Sequence, residues 1–336
     1  MPFLPASITS NSQSFLFYEV HVRPRAGEQG TLISVEVLDG DTGASLLSYQ
    51  EADLQRHAAE LRKEGDPGLS LVAKRRDSNT SVGLPAVVFI ELVAELAKLP
   101  RAVAHRVTMV DPKGRQICEE GTRISVSTTT PIAVGSPLRG GDWMAVNTPH
   151  NTDGHRKGLL RVDGRETVAQ RFAIDFVRVD SDMRTWQGDR LQNASYYAYG
   201  SEILAVADGV VSSAKDGIPE NDPDGDSRAV EIALDTIAGN YVIVDSGKAK
   251  YCFYAHIQPR RSRVEPGAEL RRGDVLGLLG NSGNSKEPRL HFQIRNANSP
   301  LGAEGLPYVF DSFDAHGLEE RRLELPLERA VVAFPD

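Results

Sequence analysis

From about residue 165 onward the chain is a succession of short runs rich in Val, Ile, Leu, Phe and Tyr, separated by glycine-bearing turns: ILAVADGVVSSAKDG, NYVIVDSGKAKYCFYAH, DVLGLLGNSGNS and LHFQIR. No long amphipathic helix interrupts them. Short strands at this spacing predict an antiparallel, all-β domain.

The first third also reads mostly as strands. FLFYEVHVRP (15–24), TLISVEVLDG (31–40) and RISVSTTTPIAV (123–134) are rich in β-branched and aromatic residues and end in turn residues. EADLQRHAAELRKEG (51–65) predicts a helix, with Leu54, Ala58 and Leu61 at helix spacing and Gly65 as its stop. AVVFIELVAELA (86–97) fits strand or helix, with strand preferred for its first half. The sum predicts a β-sandwich, of the immunoglobulin type, over residues 1–136. VGSPLRGGDW (134–143) gathers Pro and Gly between patterned segments and marks a boundary. Residues 137–164 are expected to link the sandwich to a second domain over 165–336, which includes a C-terminal tail. The 336 residues suit about two domains.

Composition excludes several classes. A net charge of −8 argues against a nucleic-acid partner, whose phosphates call for a basic face. No apolar run approaches the roughly 18 residues of a membrane span. The opening MPFLPASITSNSQSF has no basic or apolar region of a signal peptide. Cys118 and Cys252 say little about redox compartment; Cys252 is expected to be a small buried thiol. There is no G-x-S-x-G, Walker A, H-E-x-x-H or G-x-G-x-x-G motif. Asp222, Asp224 and Asp226 lack the Gly and Glu of a calcium loop, as Ser227 and Ala233 stand there, so a solvated loop is expected. His21, His57, His105 and His316 have no partner spacing.

Over residues 165–310 the series YGSEILAVADGVV, GNYVIVDSGKAKYCFYAHIQP, VEPGAELRRGDVLGLLGNSGNS and RLHFQIR resembles the lysostaphin-type zinc endopeptidases that cut peptidoglycan cross-links. The resemblance implies zinc held by the His and Asp of an H-x-x-x-D strand and by the second His of an H-x-H strand. It also implies two further histidines for proton transfer and oxyanion stabilisation. Three protein ligands leave a fourth position open, as a catalytic zinc requires.

Carried onto this chain, Asp175 takes the carboxylate position and His291 the second position of H-x-H. His256, in Tyr254-Ala255-His256, takes the position of a catalytic histidine. Arg171 replaces the first zinc ligand and Arg289 the other catalytic histidine. A guanidinium stays protonated and offers no lone pair to a metal. Arg171 is therefore expected beside Asp175, replacing the missing cation, with Arg289 doing the same for a facing carboxylate. His155, flanked by Gly154, is a candidate third ligand ahead of His150; otherwise it is a loop histidine near solvent. Three readings follow. One is a degenerate peptidase domain, without zinc, that binds a peptidoglycan peptide or a partner protein. Another is an active zinc endopeptidase using Asp175, His291 and His155, with His256 as proton-transfer group. The last is an interaction protein that works through its N-terminal domain. The resemblance implies a periplasmic or secreted location.

Overall fold

The computed structural model describes residues 4–24, 29–61, 73–74, 81–95, 98–151, 154–162, 165–315 and 319–335. The chain divides into two units, Met1–Thr130 and Pro131–Asp336. Strand dominates both, and no helix among the described residues is long and apolar enough to cross a membrane.

In the first unit, one sheet runs Ala6–Ser10, Gln13–Val22, Ala86–Glu95, Ala58–Leu61, Ala73–Lys74. A second is built around Gln116–Glu120, Ala102–Val110, Thr31–Asp39 and Ser45–Gln50. Period-two alternation puts Leu16, Tyr18, Val20 and Val22 of one strand and Val88, Ile90 and Leu92 of its neighbour on one face. There they share a core with Val35 and Val37 of the other sheet. Two sheets closing on one apolar layer form a sandwich.

Two local expectations are corrected. The helix expected over 51–65 spans only Glu51–His57, and Leu54 is its one buried residue. Ala58 then opens a strand that pairs with Val88, so sheet pairing overrides the helical spacing of Ala58 and Leu61. RISVSTTTPIAV is not one strand. Ile124–Ser125 pairs in the first unit, and Ile132–Val134 pairs with Tyr308–Ala315 in the second. The strand expected in the first half of 86–97 is present as Ala86–Glu95. His316 lies outside the described residues.

The second unit is organised by an eleven-stranded sheet whose centre runs Gly140–Val146, Ile174–Arg178, Leu290–Arg295, Tyr251–Ile257, Asn240–Asp245, all antiparallel. Residues 140–146 are thus a sheet strand, not a linker. Register fixes the two faces of this centre. Ile174, Phe292 and Tyr254 form one row across it, and Asp175, His291 and Ala255 the next. Directly opposed residues share a face. The first row joins an aromatic core in which Phe292 touches Tyr254, Tyr308 and Phe310. The second row forms the floor of a cleft.

Candidate metal centre

Asp175 and His291 are cross-strand partners, and His291 Nδ1 lies 2.8 Å from Asp175 Oδ1. His291 Nε2 lies 3.2 Å from Gln293 Oε1. A separation of 2.8 Å is that of a hydrogen bond from Nδ1–H to the carboxylate, and that proton is the one a bound cation would replace.

The third donor comes from outside the sheet. His155 opens a short 3-10 turn, His155–Lys157, and its Nε2 lies 3.5 Å from Asp175 Oδ2. Its ring packs edge-on against His291 at 4.7 Å. Donor atoms of His155, Asp175 and His291 all fall within 4.8 Å of one another, the one such cluster among the described residues. The approach to His155 is held tightly. Glu328 accepts from the backbone N–H groups of Asn147 and Thr148 and from the Thr148 hydroxyl and the Asn151 amide. Asn147 in turn donates to Asp175 Oδ2 at 2.9 Å. A Cβ on Gly154 would stand 3.2 Å from Asn147 Oδ1 and 3.3 Å from Asn151 Cγ, so glycine allows the close approach that turns His155 inward.

Arg171 is not beside Asp175. The chain turns over 168–173, with Arg171 N donating to Val168 O and Ala173 N to Gln170 O. Strand alternation therefore does not carry back from Asp175 to Arg171. The Arg171 guanidinium is buried against Glu304 at 2.8 Å and donates to Gly305 O. The cation beside Asp175 is Arg289, whose Nε lies 3.0 Å from Oδ2. That Nε–H has no hydrogen-bond partner, so the contact is a charge pairing without directional bonding. Arg289 Nη2 donates to Asn284 O at 3.0 Å and lies 3.5 Å from His256 Nε2.

His256 reaches the cleft through a bulge. Strand alternation would turn it to the side of Tyr254. Register shifts between Asn240 and Tyr241, however, leaving His256 unpaired, with φ +66°. A bulge of this kind re-aims a side chain, and a left-handed backbone at a non-glycine residue is strain held by its surroundings. His256 Nδ1 donates to Ser282 O at 2.8 Å, which leaves the Nε2 lone pair toward Arg289 and the cleft.

Protonation suits a metal. Burial lowers His155 to about 4. Burial, with Arg289 and His291 nearby, holds His256 well below the ordinary imidazole range. Burial alone would raise Asp175, but His155, Arg289 and His291 together keep it well below the usual carboxylate range. At neutral pH the site thus offers a neutral imidazole and an ionised carboxylate as donors. The set of two imidazole nitrogens and one carboxylate, with a free side toward the cleft, fits a catalytic zinc. The cleft holds about 90 Å³ and is lined by His155, His256, Arg289 and His291 with Phe253 and Leu301.

Asn147, Glu328 and Gln293 are functional neighbours that spacing does not announce as such. Gln293 was recognisable only as sharing the face of His291. Glu328 lies 180 residues from Thr148 in sequence.

Residues 194–303, within the second unit, match the model of Peptidase family M23. His256, Arg289 and His291 lie inside that match; His155, Arg171 and Asp175 lie upstream of it. Among curated proteins, the chain is 32% identical over 79 residues to the peptidoglycan DD-endopeptidase ShyA of Vibrio cholerae, covering 24% of this chain and 18% of that one. It is 28% identical over 95 residues to an uncharacterized metalloprotease of Buchnera aphidicola, covering 28% and 20%. The matched stretches span about a fifth of these relatives' lengths. Among solved structures, the catalytic domain of lysostaphin from Staphylococcus simulans matches at 18% identity over 43% of this chain and 78% of that one, with a TM-score of 0.25.

Proposed function

We propose that the second unit is a zinc-dependent endopeptidase acting on peptidoglycan peptides, with His155 Nε2, Asp175 and His291 Nδ1 as the metal ligands. The observation that carries this reading is the convergence of three donor side chains, one of them on a clamped segment that has no other role in the sheet. Zinc held there would polarise the scissile carbonyl and acidify a water. Gln293 Oε1, 3.2 Å from His291 Nε2, would hold the tautomer that leaves Nδ1 to the metal, as a partner of a metal-bound histidine does. His256, neutral and with Nε2 free toward the cleft, is placed to take a proton from the attacking water and pass it to the leaving amine. Arg289 supplies a fixed positive charge where a carbonyl oxygen gains negative charge, the part a histidine plays in the resembled family. The substrate class rests on the similarity to peptidoglycan endopeptidases.

One observation favours a second reading, a degenerate cleft that binds without cutting. Arg289 already sits at Asp175 and neutralises it, which opposes a second cation. Incubation of the full chain with purified peptidoglycan separates the two. Zinc-dependent release of new amino termini, abolished by chelation and by His256→Ala, supports the peptidase. Binding to the polymer without release supports the degenerate cleft.

A further inference from the structure

The sheet face that carries Asp175 and His291 continues beyond the cleft. Along Leu290–Arg295, residues His291, Gln293 and Arg295 are opposite Ala255, Phe253 and Tyr251 of the next strand. All three therefore face the cleft side. Arg295 is wholly buried. Its guanidinium lies 3.6 Å over the Phe253 ring and Nη1 donates to Ser299 O. Arg295 Nε and Nη2 have no partner, nor has Nε2 of the fully buried Gln293. No carboxylate pairs with Arg295 among the described residues. A buried guanidinium held by one carbonyl and one ring face is poorly compensated. Burial lowers it to about 9, which still leaves it charged at neutral pH. Phe253, which does line the cleft, joins the two: its ring also touches His291, with centroids 5.8 Å apart. Ser299, the residue that Arg295 holds, directly precedes Pro300 and Leu301, which line the cleft.

We propose that Arg295 and Gln293 form a carboxylate subsite of the cleft, which takes the C-terminal carboxylate of a bound peptide when Ser299 yields its place. The proposal rests on the reading of the cleft as a peptide site. A guanidinium fork matches a carboxylate edge-on, and the adjacent amide N–H can serve its second oxygen. Residues 291 and 295 are about 13 Å apart along the strand, so the carboxylate would lie within about four extended residues of the scissile bond.

The test is calorimetric, on the full chain with zinc chelated so that nothing turns over. The probes are N-acetyl-tetra-alanine, its C-terminal amide, and acetate. The acid should bind about tenfold more tightly than the amide, as loss of a charge-assisted bond predicts, and more tightly than acetate. Arg295→Met should erase the acid–amide difference, and Arg295→Lys should keep part of it. Zinc affinity should not change in either variant, so failure of the metal reading would show separately in a zinc titration. Equal binding of acid and amide, equal binding of acetate and peptide, or no binding of the acid would overturn the proposal. So would a folded Arg295→Met protein that keeps the difference. If that variant does not fold, the acid–amide ratio of the unaltered chain decides.

Discussion

At the scale of single residues, the site depends on which nitrogen of His291 meets Asp175. With a metal on Nδ1, Gln293 Oε1, 3.2 Å from Nε2, would accept from the proton that remains there. Gln293→Leu should weaken zinc binding about 10–100-fold, the usual cost of losing a partner of a metal-bound histidine, measured by competition with a chromophoric chelator. His155→Ala should cost more, because it removes a donor. Arg171 behaves as a structural residue. Glu304→Ala removes the carboxylate paired with a buried guanidinium and should lower stability by about 3 kcal/mol, within the range for broken buried pairs. Arg171→His should not raise zinc affinity, whereas Arg289→His should, since it removes a competing charge from Asp175. These contrasts mark what could be read in advance. That Asp175 and His291 sit on strands was legible from the apolar residues that flank them. The placement of Arg171 was not, because a turn at 168–173 interrupts the alternation and Glu304 is far along the chain.

At the scale of elements, two irregular pieces of backbone make the site, and neither follows from strand periodicity. The bulge at His256 is supported by the GNSGNS turn. Gly283 there is pressed so closely against Gly239 that a Cβ would stand 2.2 Å from the Gly239 nitrogen. Ser282, between them, receives the His256 proton bond and donates to Ile257 O. The glycine-rich run was legible as a turn but not as a brace. Residues 147–151 fall in the stretch expected to link the domains, because it is polar and irregular; Glu328 holds them, its carboxylate gathering four donors. Glu328→Gln keeps size but removes one acceptor and the charge. It should weaken zinc binding by about tenfold through a displaced His155, an effect of the size seen for outer partners of a metal site. An unchanged zinc affinity would mean that the clamp does not position the histidine.

At the scale of the whole molecule, buried neutral histidines in both units tie stability to pH. In the first, His105 is buried beside Tyr18, 3.0 Å from its hydroxyl, and burial lowers its pKa to about 4. An unfolded imidazole titrates near 6.5. Between these values the unfolded chain binds the extra proton, so stability rises with pH there. This contribution is full above about pH 7, declines as pH falls through 6.5, and is exhausted near 4. Its size is on the order of 3 kcal/mol at about 1.4 kcal/mol per pH unit. Thermal melts at pH 5 and 7.5 should show the loss, and His105→Phe should flatten it. The all-β architecture was legible from turn spacing and β-branched runs. The short helix at Glu51–His57 was overestimated because sheet pairing of Ala58 with Val88 cannot be seen in local sequence.

The central claim, that His155 completes a three-donor zinc site in place of Arg171, is tested most directly by elemental analysis of the purified full chain. The sample would be reconstituted with zinc and desalted, and run beside His155→Ala. One zinc per chain in the parent and none retained in the variant is the expected result. A parent that retains no zinc, or a variant that retains as much as the parent, would contradict it.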